Sequence, residues 1–260
     1  MEVTALQYLI VCPLVFLAGF ADSIAGGGGV ISLPAYVLTG MPVILAYGTN
    51  KFAMSLGTTV STVKYYRSGH VTVKSAAFAV IGALIGSHLG AQAAMLLDET
   101  YLRYCMMVLL PLVALFLVFN RKFGEAEKEK SLAKWKEYAL SAFVGLLVGA
   151  YDGFFGPGAG TFYTLLFVSL LGYSLLGASG NARVVNLASN LGALTAYLLN
   201  SNVVYALGIP AALCAVLGNY LGSRLAIQNG ARFIRPVMAA VIALLILKIV
   251  WDMWGERLSI

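Results

Sequence analysis

Two basic residues sit where a charge is expensive. Lys51 and Arg183 each lie six or seven residues inside an apolar run, roughly 10 Å along a helix axis at about 1.5 Å per residue. In a hydrocarbon layer a cation at that depth needs a partner or a water-filled cavity. Two acids, Asp22 and Asp152, each stand four residues ahead of a glycine-rich run, Gly26 to Gly29 and Gly156 to Gly160. Glycine inside a helix costs about 1 kcal/mol relative to alanine, so such a run ends a helix. A helix that restarts beyond the turn aims free N–H groups and about half a positive charge at whatever lies before it. That is chemistry for holding an anion, and glycine, without Cβ, lets the backbone come close to it. Gly26, Gly27, Gly28, Gly29, Gly156, Pro157, Gly158 and Gly160 are therefore candidate anion ligands. Pro157 would fix φ and open the half-helix that follows. The competing account of the glycines is close helix packing.

Lys51 and Arg183 read in two compatible ways: as a pair of cationic anion ligands, or as partners of Asp22 and Asp152. The two acids read as helix caps, counter-ions or carriers of a coupling proton. Asn50, Asn181 and Asn186 stand beside the cations and are candidate ligands. Asn190, Ser55, Ser189, Thr58 and Thr59 add further polar groups to the same segments.

The spacing of these residues is that of a duplication. Gly19, Asp22, Gly26 and Gly28 match Gly149, Asp152, Gly156 and Gly158 at an offset of 130 (19 to 149). Further on, "GTNK" from Gly48 matches "GNAR" from Gly180, and "GSHLG" from Gly86 matches "GNYLG" from Gly218, at an offset of 132 (51 to 183). A two-residue insertion reconciles the registers. The chain divides into a first repeat at 1–119, a polar linker at 120–137 and a second repeat at 138–260. The linker carries six basic and four acidic residues and joins the repeats on one side of a membrane.

That a membrane is involved follows from composition. Of 260 residues, 60% are hydrophobic and 11% charged, against roughly 25% charged in soluble domains. The N-terminal stretch has Glu2 and no Lys or Arg before its apolar run, so it is read as the first membrane segment rather than a signal peptide. The net charge of +6 is assigned to cytoplasmic loops, not to a nucleic-acid partner. Cys12, Cys105 and Cys214 are far apart in apolar sequence, which reads as small buried hydrophobes rather than a disulfide framework or zinc site. His88 and His70 lack the neighbours a metal site needs. No metal and no cofactor is expected. Gly82, Gly86 and Gly90, echoed by Gly218 and Gly222, read as small-residue packing faces.

Each repeat then holds a glycine-bearing region, 6–39 or 138–171, and three simpler spans. These are 45–66, 72–97 and 101–119 in the first repeat, and 176–199, 203–227 and 233–254 in the second. A region of about 34 residues is too long for one span near 20 and too short for two. A half-helix, a turn and a second half-helix would fit, as a re-entrant or discontinuous helix lining a cavity. Positive residues cluster near Gly69, in the linker and near Gly230. All three clusters fall on the cytoplasmic side only if the glycine regions dip in and return, leaving three full spans per repeat. Three is odd, so the expectation is an all-α multipass protein of two inverted-topology repeats, with both termini on the non-cytoplasmic side.

The stretches "DSIAGGGGVISLP" and "GTNK", with "YDGFFGPGAGTF" and "NARVVNLASN", resemble the TauE/SafE family of membrane transporters, the sulfite exporter or sulfonate-uptake permease family. The resemblance spans both repeats. It implies a multipass plasma (inner) membrane permease moving a small anion, often sulfur-containing, such as sulfite or a sulfonate. The expected partners are that anion, the lipid bilayer and a coupling proton or sodium; a homo-oligomer is left open. Alternating access at the repeat interface is the leading mechanism, with a passive anion channel as the alternative. An intramembrane enzyme is disfavoured, because H-E-x-x-H, G-x-S-x-G and the P-loop pattern do not occur.

Overall fold

A computed structural model describes residues 3–98, 100–102, 104 and 133–240. All but the first residues of the expected span at 101–119, the linker up to residue 132, Cys105 and the end of the last span lie outside the described residues.

The described residues are helical, with no strand among them. In chain order the helices are α1 (Ala5–Ala25), α2 (Gly29–Leu38), α3 (Val43–Arg67), α4 (Val73–Met95), α5 (Lys134–Phe154), α6 (Ala159–Ser169), α7 (Leu175–Leu199) and α8 (Tyr205–Asn229). Residues 231–240 are also helical. Three helices, α1, α4 and α8, are long and apolar enough to cross a membrane; α2 and α6 are shorter apolar helices. Leu84, Ile85 and Leu89 on α4 and Leu213, Leu217 and Leu221 on α8 face outward, an apolar exterior of the kind a bilayer covers. The interior instead buries Asp22, Lys51, Asp152 and Arg183 with several Asn, Ser and Thr side chains.

Local sequence explains where the helices begin and end. Thr4 and Gln7 form a capping box at the start of α1, satisfying N–H groups that a first turn leaves bare. At the other end Gly26 takes φ +83° and its N–H bonds the Asp22 carbonyl at 2.8 Å, a left-handed C-cap suited to glycine. Ser174 caps α7, its hydroxyl accepting from the Gly177 N–H at 3.2 Å. The breaks at Gly26–Gly28 and 155–158 fall late in their regions. The first arms are therefore 21 residues each, and only the second arms, of 10 and 11 residues, are half-helices. Helix α5 starts at Lys134, inside the stretch read as linker. Trp135, 68% exposed with Lys136 over its ring, makes that first turn amphipathic in the way of a membrane–water boundary.

Both broken segments fold back as hairpins. Gln7 near the start of α1 donates to the carbonyl of Thr39 beyond α2 at 3.3 Å. Likewise Tyr173 beyond α6 donates to the Glu137 carboxylate near the start of α5 at 2.7 Å. Helices α3 and α7 run antiparallel between them. The Val204 N–H, past the end of α7, bonds Thr49 Oγ1 near the start of α3 at 3.0 Å. The Thr72 N–H, past the end of α3, bonds Asn181 Oδ1 near the start of α7 at 3.0 Å. Hairpin one thus opens beside the start of α3, and hairpin two opens at the opposite end, beside the start of α7.

The tightest interfaces cross between the two sequence halves. Helix α4 lies on α5 and α1 on α8. A Cβ on Gly86 would strike the Leu146 carbonyl, and one on Gly153 would strike that of Ser87. In the other pair a Cβ on Gly218 would strike the Phe16 carbonyl. The small-residue faces are thus close-packed backbone seams. Cys12 and Cys214 are free and half-buried.

Candidate functional site

The two glycine turns meet at the centre of the molecule. The Gly26 carbonyl accepts from the Thr161 N–H at 3.2 Å, and the Ala25 carbonyl accepts from the Thr161 hydroxyl at 2.8 Å. A Cβ on Gly26 would collide with Gly160, while one on Gly29 would lie 3.2 Å from Pro157 Cα. No side chain caps α2 or α6, so two short helices begin close together, each with its positive end at the junction. Helix α6 starts at Ala159, after Gly158 at φ +82°. Pro157 is therefore in the turn rather than at the first helical position, and its carbonyl accepts from the Tyr151 hydroxyl at 2.6 Å.

The charged residues pair crosswise between the halves. Lys51 Nζ lies 2.8 Å from Asp152 Oδ2, and Arg183 Nη1 lies 3.1 Å from Asp22 Oδ2. The two pairs are equivalent under the duplication, and each joins a cation of one half to an acid of the other. Among the described residues these four are the buried charges, and they sum to zero. Removing one member of such a pair leaves a buried charge uncompensated, which is the costly event.

A small cavity of about 20 Å³ lies against the junction, room for roughly one water. The hairpins contribute Asp22, Gly26, Gly29, Asp152, Gly156 and Gly160 to its lining. Helix α3 contributes Asn50, Lys51 and Met54, and helix α7 contributes Asn186 and Asn190. The Lys51 ammonium also donates to Asn190 Oδ1 at 3.0 Å, and Asn190 in turn donates to Asn186 Oδ1 at 3.3 Å. Ser189 donates to Asp152 Oδ2. The side-chain oxygen of Asn50 is buried without a hydrogen-bond partner. A cavity edged by an ammonium, two carboxylates, three carboxamides and two glycine turns could hold the oxygens of a small anion where the ammonium and the amide donors turn to it in place of the carboxylates.

The remaining candidates sit elsewhere. Gly27, Gly28, Gly158 and Pro157 shape the turns without lining the cavity, and the Gly28 N–H bonds Asp22 Oδ1 at 3.3 Å. Asn181 is a latch: it receives the Thr72 N–H and donates to the Gly177 carbonyl at 2.8 Å. Arg183 is fully buried behind the wall. Its Nη1 donates to the Asp22 carbonyl, and a Cβ on either Gly26 or Gly160 would press on its Nη2. Met54 lines the cavity although sequence reasoning passed it over. The offset of 132 offered a signal, since it places Met54 at the position of Asn186 (54 to 186).

Other polar residues are accounted for by packing. His88 bonds Thr195 Oγ1 at 3.0 Å and Gln92 Nε2 at 3.1 Å. Among the described residues no cluster of three or more His, Cys, Asp or Glu side chains could hold a metal.

The family model described as "Sulfite exporter TauE/SafE" matches residues 11–249. The "Probable membrane transporter protein YfcA" of Escherichia coli is 34% identical over 244 residues, covering 93% of this chain and 89% of that protein. The "Probable membrane transporter protein ORF9" of a Sinorhizobium species is 34% identical, over 91% of this chain and 90% of its own length. A "Probable membrane transporter protein" of Haemophilus influenzae is 33% identical, over 91% and 92%. No solved structure matches the chain significantly.

Proposed function

This chain belongs to the sulfite exporter TauE/SafE family, and from that premise we propose that it is a secondary transporter of a small anion in the plasma membrane. The observation that carries the reading is the Lys51–Asp152 pair, 2.8 Å apart, on the wall of a cavity where two glycine turns meet. The family's name favours sulfite, a sulfonate or a related sulfur oxoanion as the cargo. The names of the family and of its members point to transport rather than catalysis.

The chain is read as two repeats of inverted topology, 1–119 and 138–260, with three full spans each. Support comes from antiparallel α3 and α7 and from hairpins opening at opposite ends. The ends at Gly40 and Ser201 face outside together with both termini, and those at Gly69, Gly172 and Gly230 face the cytoplasm with the linker. The first arms, long enough to cross, return through their short second arms instead of delivering the chain to the far side.

The small cavity supports alternating access. A four-atom anion such as sulfite needs more room than one water, so loading requires the walls to part. The cross-half seams make the moving bodies two welded pairs, α1 with α8 and α4 with α5, rather than one repeat rocking against the other. The anion takes Lys51, the carboxamides of Asn50, Asn186 and Asn190, and the turns at Gly26, Gly29, Gly156 and Gly160 as ligands. Arg183, behind the wall, contributes field and rigidity.

Flux into proteoliposomes tests this reading, with sulfite, thiosulfate, sulfonates and carboxylates compared with and without a pH gradient. Saturable uptake of at least one sulfur oxoanion is expected. Large ohmic currents would make the protein a channel, and the absence of flux for the whole panel would overturn the reading.

A further inference from the structure

The two ion pairs are equivalent in sequence but not in what an anion would meet. Lys51 Nζ is on the cavity wall; the Arg183 guanidinium is behind it, held by the carboxylate and the carbonyl of Asp22. An anion entering the cavity must therefore compete with Asp152 for Lys51, while the Arg183–Asp22 pair is left intact. The four buried charges sum to zero before it enters. After it enters they sum, with a monovalent cargo, to one negative charge among side chains that are each no more than 5% exposed.

On this basis we infer that anion binding draws one proton onto Asp152, so that the protein couples each bound anion to a proton. The inference rests on the anion site proposed above. When the Lys51 ammonium turns from Asp152 to the cargo, the carboxylate loses its counter-ion at 3% exposure. A buried carboxylate without compensation neutralises by taking up a proton rather than staying charged. The proton comes from the aqueous phase that delivers the anion and forms an O–H bond on the Asp152 carboxyl; no other bond is made or broken. Lys51 stays an ammonium, and the site returns to zero net charge with a monovalent anion bound.

The surroundings of Asp152 suit both of its states. Ser189, which donates to the ionised carboxylate, has a hydroxyl that can accept from the protonated acid. The titratable groups facing Asp152 are Lys51 from α3, Tyr163 from α6, Tyr197 from α7 and its neighbour Tyr151 on α5. Asp22 lies across the cavity. Of these only Lys51 is a cation, so once the anion holds it nothing else compensates Asp152. Asp22 is the poorer carrier: its partner is an arginine, always charged, and its Oδ1 also receives the Gly28 N–H.

Proton uptake on binding, with the full chain in detergent and weak buffer, tests the inference. The probes are methanesulfonate, ethanesulfonate and isethionate, monovalent anions none of which titrates near neutral pH. Wild type should take up about one proton per anion bound, and its Kd should tighten about tenfold for each unit the pH falls. In Asp152→Asn the uptake should vanish and the Kd become independent of pH. Binding by wild type with no proton uptake overturns the coupling and leaves the anion site standing. Unchanged uptake in Asp152→Asn overturns the assignment to that residue. Binding of none of the three probes removes the anion site itself. Should Asp152→Asn fail to fold, the proton count on wild type decides alone.

Discussion

Lys51 and Arg183 hold the same place in the two halves, yet their charged ends lie on opposite sides of one wall. The Lys51 ammonium faces the cavity and bonds Asp152 and Asn190. The Arg183 guanidinium is fully enclosed behind Gly26 and Gly160. One duplicated ion pair borders the cavity through both its members, and in the other the cation is enclosed.

Substituting the two cations should therefore fail in different ways. Arg183→Ala leaves Asp22 buried without its partner, a loss of about 3–5 kcal/mol, and should appear as a lowered melting temperature and reduced membrane yield. Lys51→Ala also strips a buried acid, Asp152, of its partner, but it does so at the cavity edge, where the void can fill with water and Ser189 still donates to the carboxylate, so its melting temperature should fall less. Thermal melts of the purified variants check this; equal melting temperatures would contradict it.

The glycines divide in the same manner. Gly26 takes φ +83°, and a Cβ there would collide with Gly160, so Gly26→Ala should abolish flux or folding. Gly40 also takes a positive φ, +79°, but nothing lies within 4 Å of its Cβ position. Gly40→Ala should cost only the backbone strain, about 1–2 kcal/mol, with flux retained. The comparison reads crowding at the junction separately from left-handed geometry.

Among the asparagines, Asn181→Ala removes the latch onto the Thr72 N–H. It should lower stability by about 1–2 kcal/mol and leave anion affinity unaltered. Asn190→Ala removes the cavity-side partner of Lys51 and should weaken anion binding by roughly tenfold at similar stability. Isothermal titration with a transported anion checks both.

Topology has a direct chemical readout. In a background with Cys12, Cys105 and Cys214 replaced, single cysteines at Gly40 and Ser201 should react with an impermeant maleimide from outside intact cells. Cysteines at Gly69, Gly172 and Gly230 should react only after the membrane is opened. Labelling of Gly230→Cys from outside would refute the inverted arrangement.

Much of this architecture was legible before the structure because a duplication says everything twice. The glycine runs locate both breaks, and the spans at 45–66 and 176–199 come within two residues of α3 and α7. The return of both glycine regions was expected from the loop charges, but the contacts that close them were not legible, since Gln7–Thr39 and Glu137–Tyr173 are pairs between residues of ordinary type at distant positions. Pairing of the cations with the acids, holding the repeats together, was one of the expected readings, but the choice of acid for each cation was hidden. It depends on how the halves interlock through α1 with α8 and α4 with α5, and each pattern of Gly, Asp and Lys or Arg is complete within its own half. The divergence of Lys51 from Arg183 left a trace nonetheless. Met54 and Thr58 stand where the second half has Asn186 and Asn190 (offset 132), so at these two positions α7 alone lends the cavity a carboxamide, while α3 lends it Asn50 and Lys51.

The central claim is that Lys51 holds the transported anion. It is tested most directly by uptake of a labelled sulfur oxoanion into proteoliposomes carrying equal amounts of folded wild-type or Lys51→Ala protein. Wild type should show saturable uptake, and the variant a fall on the order of 100-fold, from truncating one partner of a buried charge contact. Wild-type uptake by Lys51→Ala would contradict it.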